Sequence, residues 1–194
     1  MGVIEKIADN VWKLNASSNV YFLDFDEKII IDAGKRADRS HIEMFLGKVV
    51  DFDLIEKVIF THMHYDHVGN FDLFKRAKFY AGASEIYSFK RRPTDTVADK
   101  DMAQKLIDAK IELNPLKDGD NVCGLKVIET PGHTSGSICL WHEKDKILFS
   151  GDTIFAKGIL GRTDLPTSNA SAMKNTMMKM IRYNYKILCP GHNY

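Results

Sequence analysis

Four apolar runs along this chain each end in a short loop that carries histidine or aspartate. Val58-Ile59-Phe60 leads into Thr61-His62-Met63-His64-Tyr65-Asp66-His67, and later runs lead into Pro131-Gly132-His133, Ser150-Gly151-Asp152 and Pro190-Gly191-His192. In the last three loops the polar residue sits beside a glycine, which lets the backbone approach closely. A fold that gathers these strand ends at one edge brings His62, His64, Asp66, His67, His133, Asp152 and His192 together. Neutral imidazole and carboxylate are the nitrogen and oxygen donors that zinc and other first-row metals favour. On an extended chain His62 and His64 point the same way, because side chains alternate with a period of two. Asp66 and His67 fall where the chain turns into a short helix, so they face a second position beside the first.

Seven ligands exceed the roughly four that one zinc takes. They fit two metals that share a carboxylate. His62, His64 and His133 form one set, Asp66, His67 and His192 the other, and Asp152 bridges. The remaining histidines have local explanations: His41 lies in a helix-capping pattern and His142 in a charged turn before Glu143.

The 194 residues are expected to form one domain, residues 1–194, with enough length for a substantial core. Apolar content of 44% and charged content of 27% fit a soluble globular chain. A formal charge of +1 gives no nucleic-acid footprint, and Lys90-Arg91-Arg92 reads as a solvated helix end. Three cysteines without Cys-x-x-Cys spacing point to a reducing compartment. Charges near the N-terminus exclude a signal core there, and no run approaches the ~20 apolar residues of a membrane span. The expectation is a cytoplasmic protein with a small-molecule substrate, no nucleic-acid or membrane partner, and an open oligomeric state.

Strands are expected at 11–14, 20–25 and 28–31, with a hairpin turn at Asp26-Glu27. Ser40-His41-Ile42-Glu43 is a capping-box pattern that starts a helix with Ile42, Phe45, Leu46, Val49 and Val50 on one face. Strand, His-rich loop and short helix follow, then a strand at 78–81 and a helix at 84–90. Residues 91–118 are polar and less regular. They include a helix around Ala103, Leu106 and Ile107 and turns at Asn114-Pro115 and Asp118-Gly119, and they read as either a cap over a pocket or a surface insertion. Strands resume at 125–129, 137–141 and 147–149. A later helix puts Met173, Met177, Met180 and Ile181 on a core-facing side, and a last strand covers 186–189. This is an α/β pattern of two sheets flanked by helices.

The motifs Thr-His-x-His-x-Asp-His, Pro-Gly-His-Thr-Ser-Gly-Ser, Ser-Gly-Asp-Thr-Ile-Phe and Cys-Pro-Gly-His resemble those of the metallo-β-lactamase superfamily over nearly the whole chain. The resemblance implies a four-layer αβ/βα sandwich with a binuclear site at one edge. Gly161-Arg162-Thr163-Asp164-Leu165 is similar to the matching segment of hydroxyacylglutathione hydrolases (glyoxalase II) and their short single-domain relatives. Because the chain stops two residues after His192, the C-terminal helical domain that grips glutathione in the full-length enzymes is expected to be missing. Asp152 stands where the best-known zinc β-lactamases have cysteine, and His64 where flavodiiron proteins have glutamate, so both subfamilies are disfavoured.

The chemistry expected is thioester hydrolysis by a metal-bridging hydroxide between two ions about 3.5–4 Å apart. Zn2+ is the first choice, with iron or manganese compatible with the same ligands. Asp66 and Asp152 are the candidate catalytic carboxylates. Asp32, Thr61 and Thr134 are candidates for supporting the ligands, although each also reads as ordinary turn chemistry. Arg162 and Lys157 are candidates for binding a substrate carboxylate, and each also reads as a surface residue. Lactone or ester hydrolysis uses the same centre. A persulfide dioxygenase with one iron shares the fold, but Asp66, His67 and His192 argue for two metals.

Overall fold

The computed structural model describes residues 4–194. Among these residues twelve strands form two mixed sheets. The first has seven strands in sequence order, β1 (Ile4–Ala8), β2 (Val11–Leu14), β3 (Val20–Asp24), β4 (Lys28–Ile31), β5 (Lys57–Ile59), β6 (Lys78–Gly82) and β7 (Leu113–Leu116). Its first four strands are an antiparallel meander, and β4 to β7 run parallel. The second sheet has the order β12-β11-β10-β9-β8, from β8 (Asn121–Val122), β9 (Leu125–Glu129), β10 (Ile138–His142), β11 (Ile147–Gly151) and β12 (Ile187–Pro190).

Alternation along the strands decides which layer each side chain joins. In β3, Tyr21 and Leu23 face the second sheet, where they meet Phe149, Leu140 and Cys189 in the central core. Val20 and Phe22 face the other way and pack with helices α1 (Arg39–Leu46), α3 (Ala83–Arg91), α4 (Pro93–Val97) and α5 (Lys100–Asp108). The one-turn helix α2 (Tyr65–Val68) follows β5. On the far side of the second sheet, Trp141, Cys139 and Leu148 pack against α6 (Ala170–Met180). Helices therefore cover both outer faces of the paired sheets. Among the described residues no helix is long and apolar enough to cross a membrane, and the three cysteines are free.

Several expectations need correction. The capping box at Ser40 does not form: α1 already starts at Arg39, continuing a 3-10 turn at Arg36–Asp38. The competing partners explain this, since Glu43 pairs with Arg39 and the Asp38 carboxylate accepts the Ser17 amide. Residues 91–118 are neither a cap nor a plain insertion. Val97, Met102, Ala103 and Leu106 carry α4 and α5 into the core. Asn114-Pro115 lies within β7 rather than in a turn, which proline tolerates because β7 is the sheet edge. Ile181, expected in the core with the methionines, is 84% exposed at the end of α6. The short strands β1 and β8 had no expectation: β1 carries no strong apolar run, and β8 has only two residues.

Candidate metal centre

The loops that follow β4 and β5 in the first sheet meet those that follow β9, β11 and β12 in the second. Two backbone bonds join these ends: the Ile138 amide donates to the Thr61 carbonyl at 2.8 Å, and the Asn19 amide to the Gly191 carbonyl at 2.7 Å. The seam between the sheets thus becomes the floor of a cluster of ionisable side chains. His62, His64 and His133 place ligand atoms within 4.8 Å of one another, as do His62, His67 and Asp152, and as do Asp66, His67 and His192. All seven sequence candidates for ligands belong to these groups.

Most of the imidazoles are aimed from behind. His67 Nδ1 donates to Asp32 at 2.8 Å, His133 Nδ1 to the Arg162 carbonyl at 2.9 Å, and His192 Nδ1 to the Ser17 carbonyl at 2.6 Å. Such partners fix the tautomer, so that in the neutral ring the lone pair lies on Nε2 and faces the cluster. His62 Nδ1 lies 3.2 Å from Thr61 Oγ1, whose own proton goes to Asp32. His64 is reversed: its Nδ1 faces inward, 3.1 Å from His62 Nε2 and 3.0 Å from His133 Nε2.

This arrangement fits a cation. The outer bonds leave His62 Nε2 and His133 Nε2 as lone pairs, and His64 Nδ1 can offer a proton to only one of them. A positive ion between the three satisfies all of them together. Two buried atoms, His64 Nε2 and Asp152 Oδ1, make no hydrogen bond to protein. Asp152 touches both groups, with Oδ1 3.4 Å from His67 Nε2 and Oδ2 3.5 Å from His133 Nε2 and 3.4 Å from His192 Nε2. Gly191 makes this packing possible, since a β-carbon there would overlap Asp152 Oδ1.

Electrostatics divide the cluster. Burial pushes the His62 imidazole well below its usual value, helped by His67 and His64. Burial and then His133 take His64 down to about 3, and burial also lowers His133. At His67 burial pulls downward, but Asp152 and Asp32 outweigh it and hold the ring well above its usual value. Burial opposes ionisation of Asp66 and Asp152 as well. Hydrogen bonding to His192 and the charge of His67 nevertheless bring Asp66 to about 2, and His67 and His192 keep Asp152 well below the carboxylate range. At neutral pH the site therefore offers three neutral imidazoles and two carboxylates.

The same shifts set a pH profile for protein stripped of metal. His64, lowered to about 3, binds fewer protons folded than unfolded, so its contribution is lost as pH falls from about 6.5. His192 is raised to about 9, burial being overcome by its bonds to Asp152 and Asp66, so its contribution is lost as pH rises from about 6.5 to 9. Thermal unfolding of chelator-treated protein is expected to show a maximum near pH 6.5 with decline on both sides. A midpoint that stays flat from pH 5 to 9 would contradict these charge states.

The supporting candidates occupy definite places. Asp32 is buried with φ of +57°, in the left-handed region that aspartate tolerates. It accepts the Thr61 amide and hydroxyl, each at 2.8 Å, together with His67 Nδ1. Asp32 thus sits in a turn and also accepts a hydrogen bond from His67, one of the candidate ligands. Thr134 donates its hydroxyl to Glu85 at 2.8 Å. Arg162 is exposed and paired with Asp164 at 2.7 Å, and its carbonyl, rather than its guanidinium, reaches His133. Lys157 is exposed in a 3-10 turn.

Sequence reasoning missed Ser17, Ser18 and Asn19. Ser18 Oγ lies 3.4 Å from His67 Nδ1, and Asn19 and Tyr21 both donate to the Pro190 carbonyl, at 2.9 and 2.7 Å, behind His192. The only available signal was a polar triplet before β3, which also describes any turn.

Comparison with known proteins agrees with this fold. A model of the Metallo-beta-lactamase superfamily matches residues 15–192. The probable metallo-hydrolase MJ0888 of Methanocaldococcus jannaschii is 33% identical over 94% of this chain and 92% of its own length. A hydroxyacylglutathione hydrolase of Pelagibacter ubique is 33% identical over 86% of this chain and 65% of its own length. Among solved structures, TTHA1623 in a di-iron-bound form superposes with a TM-score of 0.71 at 21% identity, covering 91% of this chain and 88% of that one.

Proposed function

The chain belongs to the metallo-beta-lactamase superfamily, and from that premise we propose a hydrolase that works with two divalent ions, most simply Zn2+, on a small thioester of the S-acylglutathione type. Residues 1–194 would act as one catalytic domain. His62, His64 and His133 would hold one ion, Asp66, His67 and His192 the other, and Asp152 would be shared. The observation that carries this reading is the position of Asp152, whose carboxylate reaches His67, His133 and His192 and so belongs to both groups.

Bound by these residues, two divalent ions would lower the pKa of a water from 15.7 to ~7 and so provide a nucleophile near neutral pH. The remaining work falls to the chain. Asp66, ionised at neutral pH, would accept a hydrogen bond from the attacking water and aim it at the acyl carbon. Phe155 and Tyr194 meet edge to face at 4.8 Å, and both rings lie near His192. Phe155 is buried and backs the exposed Tyr194 ring, against which the acyl or thiol part would lie. Arg162 and Lys157, on the exposed loop beyond Asp152, would meet a substrate carboxylate, Arg162 after leaving Asp164. The similarity to hydroxyacylglutathione hydrolases supports the thioester as substrate.

The test is a substrate panel on metal-replete protein: a glutathione thioester, a lactone, a β-lactam and glutathione persulfide, with metal analysis alongside. Turnover of the thioester with close to two ions per chain is expected. Turnover of another member with none of the thioester would overturn the substrate assignment. One iron per chain with persulfide consumption would replace the hydrolase by an oxygenase.

A further inference from the structure

We infer that Glu85 is a positioning residue of the metal centre, its buried carboxylate locking together the two loops that carry His62, His64 and His133. The inference rests on the ligand assignment proposed above. Glu85 lies in the first turn of α3 and is fully inaccessible to solvent. Among the described residues no ion pair reaches it; three hydrogen bonds do. Oε1 accepts the amide of Met63 at 3.0 Å, the residue between His62 and His64. Oε2 accepts the hydroxyl of Thr134, which follows His133, at 2.8 Å and the amide of Gly136 at 3.0 Å. Ser137 Oγ, which accepts the Thr134 amide at 3.1 Å and lies 2.7 Å from the Thr134 hydroxyl, closes the network.

A carboxylate at the start of a helix usually serves that helix's own amides. Here all three donors belong to other segments. Burying a carboxylate without a cation is expensive, and burial raises Glu85 to about 7 against the pull of its three donors. Alanine or leucine would fill a core position at lower cost, but either would leave the Met63 and Gly136 amides without an acceptor. The contact is also close: a β-carbon at Gly136 would overlap the backbone of Glu85, so the loop is pressed onto the helix start.

The mechanical reason lies across the loops. His64 Nδ1 lies 3.1 Å from His62 Nε2 and 3.0 Å from His133 Nε2 and can offer a proton to only one of them, so one lone pair stays without a partner until a cation joins the three. Glu85 holds the two loops from the rear, so the ligand atoms need not be gathered by the ion itself.

Glu85→Gln keeps the volume and replaces one acceptor oxygen by an amino group, so a donor faces a donor at one of the two loops. Zn2+ affinity, read by competition with a chelator, is expected to weaken about 10- to 100-fold. In metal-stripped protein, hydrogen exchange at the Met63 and Gly136 amides should quicken while the amides of β5 and β10 keep their protection. Ile86→Ala, the next residue of α3 and part of the core, is the matched control. It should lower the unfolding temperature without moving the Zn2+ affinity of the folded protein. Wild-type Zn2+ affinity in Glu85→Gln would overturn the inference. If that variant does not fold, Thr134→Val removes one donor and leaves the carboxylate, and unchanged Zn2+ affinity there would overturn it equally. His133→Ala separates the two readings. Retained Zn2+ in His133→Ala refutes the ligand assignment, whereas loss there with an unaffected Glu85→Gln refutes only the role of Glu85.

Discussion

Replacing Asp152 by alanine is expected to abolish hydrolysis and to leave the purified protein with fewer than two metal ions per chain. No other side chain of the cluster stands within 3.5 Å of His67, His133 and His192 together. Alanine removes one of the two carboxylates among the candidate ligands and leaves the His67 ring with Asp32 as its remaining carboxylate partner. The loss should exceed the roughly 10- to 100-fold that follows removal of a group merely supporting a metal ligand. Asp152→Asn separates charge from shape, since it fills the same space beside Gly191 with a neutral amide. Activity above about a tenth of wild type, with both metals retained in Asp152→Ala, would rule out a shared carboxylate.

The second large effect is expected at Asp32, and it is an effect on the fold as much as on the site. Alanine there orphans the Thr61 amide, the Thr61 hydroxyl and His67 Nδ1, all of them buried. Each unsatisfied buried group costs about 1–3 kcal/mol, and a left-handed alanine adds about 1–2 kcal/mol. Such a sum is a large part of the roughly 5–15 kcal/mol that holds a domain folded. The unfolding temperature should drop by more than about 8 °C, at 2–4 °C per kcal/mol for a chain of this length. Asp32→Asn is the informative companion. Asparagine tolerates the left-handed backbone and can still accept the Thr61 amide, so stability should fall less. It no longer offers His67 a charged acceptor, so Zn2+ affinity should still weaken. A stripped Asp32→Ala protein that unfolds within 2 °C of wild type, as read by thermal denaturation, would show that the network carries little.

The loops that carry the candidate ligands were legible because their residue types have few other uses. Histidines at 62, 64, 67, 133 and 192 beside aspartates at 66 and 152 serve neither a turn nor an apolar core, and the strands that present them alternate clearly. What holds them was much less legible. His133 and His192 are oriented by the carbonyls of Arg162 and Ser17, and every residue type has a carbonyl. Glu85 reads from the sequence as one more acidic residue opening a helix. Only the approach of Gly136 and Met63 from distant positions shows what it accepts. The capping box at Ser40 failed for a related reason. A local pattern lost to partners 4 and 21 residues away, Glu43 with Arg39 and Asp38 with Ser17. Residues 91–118 looked irregular because α4 and α5 are short, and their apolar side chains meet the core singly rather than as a long stripe.

The cluster spans the join between the two sheets, with His62, His64, Asp66 and His67 on one side and His133, Asp152 and His192 on the other. An ion gripped from both sides is a cross-link as well as a reagent. Ligand that binds only the folded chain adds RT ln(1 + [L]/Kd), about 2.7 kcal/mol at a hundred times Kd. On the proposed ligand assignment, the fraction of the chain that is folded, and with it resistance to proteases, would follow the free metal around it.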